Sequence, residues 1–290
     1  MIRASELGPF KEVQLSQGTI RYREMGSGEM LVFVHGLLVN GDLWRKVVPA
    51  LTNQFRCIVP DWPLGSHEVA MNEKADLSPT GLARLISDFL AALDLNDVTL
   101  VANDSGGAFS QIVITQYPER VGRVVLTNCD SYDSFLPLFF RPLQWGAHLP
   151  GFVFVMSQLL RLRAFQRTPN AYGWLSKYGL EDRVLDSYVG PLITNPSIRR
   201  DVTKVLKTIS ARYTLEAATR FGGFDKPVLI AWASQDRFFP VRYAQRLQKA
   251  LPNARLELIK DSRTLVPEDQ PERLVELIEQ FVTENSVSKI

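Results

Sequence analysis

A chain of 290 residues with 46% hydrophobic and 22% charged residues has an ordinary globular composition. That excludes a disordered or collagen-like protein and leaves room for one large domain, or a core domain with an insertion. Thirty-three basic and 31 acidic residues give a formal charge of +2, and their scatter along the chain leaves no electrostatic footprint for nucleic acid.

The start, MIRASELGPF, has no apolar signal-peptide core, so a cytoplasmic location is expected. Cys57 and Cys129 lie in or at the end of apolar runs and read as reduced core thiols, not as a disulfide or metal site. The strongest apolar run, FVFVMSQLL at 152–160, is far short of the ~20 residues needed to cross a bilayer. It reads as a helix covering a pocket, and no membrane partner is expected. Arg161, Arg163 and Arg167 form the one basic cluster and read as the solvated face of a helix.

In chain order, short apolar or β-branched runs recur as TIRYRE (19–24), MLVFV (30–34), RCIVP (56–60), VTLVA (98–102), RVVLTN (123–128), PVLIAWA (227–233) and RLELI (255–259). Several are continuous apolar stretches, as expected of strands buried on both faces of a parallel sheet. Helical patterns separate them. The stretch 78–95 opens with Ser78 as N-cap and Pro79 at the first helical position, then sets Leu82, Leu85, Ile86, Phe89 and Leu93 on one stripe. Residues 106–117, 240–250 and 271–284 read the same way. The alternation predicts a doubly wound α/β sheet with right-handed crossovers. It breaks once, between Asn128 and Pro227, where no convincing strand occurs. A core of 1–130 and 220–290 with a helical cap at 131–219 is the expected organisation.

Ligands of open α/β sheets bind beyond the carboxyl ends of the strands. Four such ends carry chemistry: HGLLVNGDLW (35–44), DWPLGSH (61–67), ANDSGG (102–107) and SQDRFFP (234–240). In the third, a tight strand-to-helix turn needs small residues two before and two after its apex. Centring it on Asp104 supplies Ala102 and Gly106, whereas centring it on Ser105 puts Asn103 at the first of those places. The register therefore favours Asp104. Capping of the following helix is the bland alternative for that carboxylate.

Together with a final DSRTLVPEDQPERL segment (261–274), these motifs make nearly the whole chain outside the cap resemble the α/β-hydrolase superfamily. The resemblance implies an α/β-hydrolase fold: a mostly parallel, twisted eight-stranded sheet flanked by helices, with an inserted helical cap. An Asp at the elbow resembles the epoxide hydrolase and haloalkane dehalogenase branches, whose carboxylate attacks carbon to form an enzyme ester. By the same resemblance Leu37 and Ser105 supply backbone N–H groups to an oxyanion hole. Asp236 takes the place of the acid that orients the catalytic His, with Asp130 as an alternative acid. The halide-binding residues of the dehalogenases, a Trp after the nucleophile and an Asn after His-Gly, are replaced by Ser105 and Leu37.

Where that superfamily carries its catalytic His, this chain has Thr264, whose hydroxyl has no accessible pKa near neutrality and cannot serve as a general base for water. Three histidines exist. His35 belongs to the structural His-Gly turn, while His67 and His148 would each need a different approach to Asp104. Without an imidazole, Asp104 and Asp236 are expected to share a partly buried site in which like charge and desolvation push one carboxyl toward its protonated form. Arg263 could oppose this by pairing with either.

Three functions follow as expectations. The first is an enzyme acting on a small apolar epoxide, ester or lactone, with Asp104, Asp236 and Thr264 at its centre. His35, Trp62, Phe135, Phe139, Trp145 and Trp174 would border the substrate, and cap tyrosines Tyr172, Tyr178 and Tyr188 would be available as proton donors. The second is a non-hydrolytic elimination, isomerisation or cyclisation with Asp104 as acid–base. The third is a catalytically silent ligand-binding protein. No cofactor and no metal are implied by the spacing of His and Cys, and the chain is expected to act as a monomer or homodimer on a small apolar molecule.

Overall fold

Continuous apolar runs become buried strands because each carries side chains to both faces of a sheet that helices cover on both sides. In the computed structural model, which describes residues 3–286, the strands are β1 (Phe10–Leu15), β2 (Gly18–Met25), β3 (Glu29–Val34), β4 (Phe55–Pro60), β5 (Val98–Asp104), β6 (Val121–Cys129), β7 (Val228–Ala233) and β8 (Ala254–Ile259). They form one eight-stranded sheet in the order β1-β2-β4-β3-β5-β6-β7-β8. The pairs β1–β2 and β2–β4 are antiparallel and the remaining pairs parallel. β6 and β7 are buried along their whole length. β1 is not among the apolar runs of the sequence: as an edge strand with only one fully buried residue, Leu15, it needs no such run.

The helix Pro79–Ala92 forms where the stripe predicts it. Ser78 Oγ accepts from the Gly81 N–H at 3.2 Å, and Leu82, Leu85, Ile86 and Phe89 are buried. Between Cys129 and Val228 the described chain adds no strand to the sheet, only helices and an isolated bridge between Ser131 and Ser134. These helices lie over the carboxyl ends of β3 and β5, where Leu37 and Asp104 share one cavity with Leu143, Val153 and Leu192 of the cap. Cys57 and Cys129 are buried and unbonded, and burial pushes the Cys57 thiol up to about 12.

Candidate active site

Asp104 ends β5 and stands at the N-cap position of the helix Ser105–Gln116, with φ 54° and ψ −133°, but its side chain makes no capping hydrogen bond. A non-glycine residue with positive φ is strained, and strain of this kind persists only where the surroundings enforce it. The enforcement is visible. A Cβ on Gly106 would sit 2.3 Å from the Val34 carbonyl oxygen, and one on Gly36 would sit 2.1 Å from Asp104 Oδ2. The helix and the His35-Gly36 turn therefore close on Asp104 from two sides, and only glycine at both positions permits it.

Unlike its buried neighbours Asn103 and Ser105, Asp104 keeps part of its surface open, and that surface faces a cavity of ≈ 90 Å³. This is several times the ~10–15 Å³ that admits one water. The wall is largely apolar, with Leu143, Val153, Met156, Leu160 and Leu192 beside the rings of Phe140, Phe165 and Tyr172, and Asp104 is the one charged side chain lining it among the described residues. Val153 and Met156 are one turn apart on the helix Phe152–Leu159, and Leu160 follows a turn later, so one stripe of that helix roofs the chamber.

Burial, joined by the Asp236 charge, raises the Asp104 pKa to about 7 against the opposing backbone N–H groups of Ser105 and Leu37. Those two N–H groups are the pair assigned to an oxyanion hole, and here they face the carboxyl itself. Leu37 is buried and lines the chamber. Ser105 turns its hydroxyl away, donating to Asp130 Oδ2 at 3.1 Å. Asp130 is fully buried, and burial together with the Asp104 charge holds its carboxyl well above the usual range.

Asp236 Oδ1 accepts from the Phe238 N–H at 2.7 Å, the Phe239 N–H at 3.1 Å and the Thr264 hydroxyl at 3.1 Å. Its Oδ2 is buried with no hydrogen-bond partner among the described residues, and burial raises its pKa to about 6. Thr264 is fully buried. Its carbonyl accepts from Asn103 Nδ2 at 2.7 Å, and the same amide reaches Thr127 Oγ1 at 2.7 Å. Asn103 thus ties the elbow to the loop that carries Thr264. Sequence alone gives no sign of this, nor of the Ser105–Asp130 bond.

No imidazole joins these groups. His35 is fully buried, with Nε2 accepting from the Trp62 N–H at 2.8 Å, and desolvation lowers its pKa to about 4. His67 Nε2 faces Asp201 Oδ2 at 3.3 Å, while its Nδ1 accepts from the Gly65 N–H. His148 is exposed. Neither His67 nor His148 lines the chamber. Arg263 is also elsewhere: its Nη1 donates to the Ser176 carbonyl at 3.3 Å and its N–H to Asp269 at 2.9 Å, so the expected option of an ion pair with Asp104 or Asp236 is not taken.

The residues expected to border the substrate lie outside the lining of this chamber. His35 and Trp62 are locked together under the sheet end, and the Trp62 indole donates to the Phe33 carbonyl at 3.0 Å. Phe135 packs edge-on against Phe109, and Phe139 stacks with Trp174 and Phe238. Trp145 is 64% exposed. Phe139 and Trp174 pack against other rings, while Phe140, Phe165 and Tyr172 join the Leu, Val and Met side chains of the chamber wall. Of the three tyrosines only Tyr172 lines it, with its hydroxyl donating to the Leu38 carbonyl at 2.6 Å. Tyr178 is exposed and Tyr188 is buried. Among the described residues no group of three or more His, Cys, Asp or Glu is placed to hold a metal ion.

A buried charge network anchors the loop that presents Leu37. Asp61 accepts from Arg3 Nη1 and Nη2 and from the Gly41 N–H, each at 2.9 Å, and Arg23 meets Asp42 at 2.5 Å. Although burial opposes ionisation, Arg3 and Arg23 bring the Asp61 pKa down to about 2. Asp61→Ala would strand buried guanidinium groups and is expected to cost about 3 kcal/mol in urea denaturation. Because the folded pKa lies below the unfolded one, the stabilisation of the wild type is present above the ordinary carboxylate range and fades as pH falls toward about 2.

The chain resembles known proteins over most of its length. It is 28% identical to a cis-3-alkyl-4-alkyloxetan-2-one decarboxylase of Shewanella oneidensis, with 95% of this chain and 89% of that protein aligned. It is also 28% identical to haloalkane dehalogenase 2 of Mycobacterium tuberculosis, with 95% and 96% aligned. Among solved structures, an α/β-hydrolase fold protein of Burkholderia ambifaria superposes with a TM-score of 0.79 at 25% identity, covering 94% of this chain and 97% of that one. The epoxide hydrolase CorEH superposes with a TM-score of 0.79 at 19% identity, covering 95% and 99%; that likeness speaks for the fold. No described helix is long and apolar enough to cross a membrane. Since residues 29–271 match the model of the alpha/beta hydrolase fold, the chain belongs to that family.

Proposed function

We propose that this α/β-hydrolase-type enzyme uses Asp104 on a small apolar epoxide, ester or lactone, and that a strained lactone suits the site best. The observation that carries the reading is a single carboxyl lining an apolar chamber with Thr264, not an imidazole, beside Asp236. An ester formed on Asp104 from an epoxide or a simple ester must be released by activated water, and the imidazole that would activate it is replaced by Thr264. A four-membered lactone has another exit. Attack of the Asp104 carboxylate on the ring carbon that bears the ring oxygen breaks that C–O bond and frees a substrate carboxylate. Loss of CO2 then breaks the adjacent C–C bond, whose electrons form a C=C bond and expel the Asp104 carboxylate unchanged. No water and no net proton are consumed. The named activity of the Shewanella relative, decarboxylation of an oxetan-2-one, supports this choice.

A second reading keeps Asp104 as general acid–base in an elimination or isomerisation, favoured by its pKa of about 7, close to the working pH that such catalysis wants. The test is incubation with alkyl oxetan-2-ones, epoxides and esters, followed by product analysis and intact mass. Alkene and CO2 from the lactone, with no lasting adduct, support the proposal. A stable Asp104 adduct without turnover overturns release by decarboxylation. Thermal stabilisation with neither adduct nor product identifies a binding protein instead. Since attack needs the ionised carboxyl, kcat/KM is expected to rise about tenfold per pH unit below about 7 and to level off above it. A rate that falls through the same range would mark Asp104 as an acid.

A further inference from the structure

The segment that roofs the chamber is apolar on both of its faces. Inside, Val153, Met156 and Leu160 line the cavity. Outside, Trp145 is 64% exposed, Leu149 63%, Phe154 52%, Val155 56% and Leu162 58%. Of the large hydrophobic side chains exposed among the described residues, most fall between Leu138 and Leu162. A helix that is hydrophobic all round is normally buried, and a concentrated exposed patch marks an interaction surface.

The stretch of chain that carries the patch has charge of one sign. From Ser134 to Leu180 the sequence contains no Asp or Glu, while Arg141, Arg161, Arg163, Arg167 and Lys177 are present. Arg163 and Arg167 are held by Asp182, and Arg163 also by Asp186. Among the described residues the Arg161 side chain reaches only Gln158. A groove beside the patch is lined by His148, Leu149, Phe154, Arg199 and Lys207, with the Arg199 guanidinium 5.4 Å over the Phe154 ring. Val153 lines both this outer groove and the chamber of Asp104, so one helix separates them.

We propose that this face of the cap, Trp145 to Leu162 with the flanking Arg161, Arg199 and Lys207, rests on an anionic lipid surface and draws its apolar substrate from it past the helix Phe152–Leu159. Exposed aromatic and aliphatic side chains beside cations that lack acidic neighbours match the requirements of interfacial binding. The basic cluster that reads as a solvated helix face in sequence is, in part, the rim of this patch. Delivery of substrate rests on the apolar chemistry assigned to the chamber; attachment to the surface does not.

The test is co-sedimentation of the full chain with vesicles of phosphatidylcholine, with and without 30% phosphatidylglycerol. The wild type is expected to sediment with the anionic vesicles and to be released by high salt. The double variant Phe154→Ser/Leu159→Ser and the charge reversal Arg161→Glu/Lys207→Glu are each expected to weaken partitioning at least tenfold, with unchanged thermal melting and unchanged activity on detergent-dispersed substrate. Absence of sedimentation, or equal sedimentation of both variants, overturns the proposal. So does a wild-type dimer in solution that Phe154→Ser/Leu159→Ser dissociates, because the patch would then belong to a second copy. If vesicles bind but Asp104 proves dispensable, the reaction assignment fails and the docking surface stands.

Discussion

Asp104→Asn is expected to reduce turnover of every substrate by about 10³-fold or more, the scale on which loss of an attacking group is felt, while making the folded protein more stable at pH 8. The two effects have one cause. Burial and the Asp236 charge raise the Asp104 pKa to about 7, so the folded state holds a proton that the unfolded chain releases near the ordinary value of 3.8. Stability from this group is complete below the unfolded pKa and is lost as pH rises through about 7. A rise of that size corresponds to on the order of 4 kcal/mol. The neutral amide carries no such loss, so the melting temperatures of the two proteins should diverge as pH rises from 4 to 8, with the variant on top. Convergence at high pH would mean that the carboxylate is better stabilised by the Leu37 and Ser105 N–H groups than its burial suggests.

Asp104 is not alone in this respect. Asp130 and Asp236 are also raised by burial, and among the described residues no arginine or lysine pairs with the three: Arg263 turns to Ser176, and Arg3 and Arg23 are taken up by Asp42 and Asp61. Three carboxyls without a cation must share protons in a low-dielectric setting. This cost in folding free energy is concentrated at the carboxyl ends of β5, β6 and β7, where strain in the Asp104 backbone also lies. Such conflict with stability is characteristic of sites retained for chemistry.

What the sequence makes legible here follows from short-range constraint. The elbow could be read because a sharp turn dictates small residues at fixed offsets, and Ala102 and Gly106 satisfy them about Asp104. Asp236 and Thr264 could be assigned positions because the resemblance to the α/β-hydrolases puts an acid and a His after the last two strands. Contacts across the sheet could not: Ser105 and Asp130 are 25 positions apart, and Asn103 and Thr264 are 161 apart. No local pattern specifies those partners. The cap misleads for a different reason. Aromatic residues suggest a pocket by composition, yet Phe139, Trp174 and Phe238 satisfy one another by stacking, whereas Phe140, Phe165 and Tyr172 do line the cavity, beside the helical stripe of Val153, Met156 and Leu160.

The second large effect is expected from Thr264→His. Asp236 already has its Oδ1 filled by two backbone N–H groups and the Thr264 hydroxyl, while Oδ2 is buried and unpartnered among the described residues. An imidazole at 264 would find in Oδ2 the acceptor that fixes its tautomer, leaving its other nitrogen free to take a proton from water. General-base catalysis of that kind is worth about 10²–10⁴-fold, so hydrolysis of an epoxide or simple ester should rise by about 10²-fold, measured as diol or acid released. Position 264 is fully buried, and the larger ring should cost about 1–3 kcal/mol in denaturation. Decarboxylation of a four-membered lactone, which uses no water, should change little, and the hydroxy acid should now appear beside the alkene. A variant that folds, binds substrate and still hydrolyses nothing faster would show that the Asp104 ester is not the intermediate, and acid–base chemistry at that carboxyl would take its place.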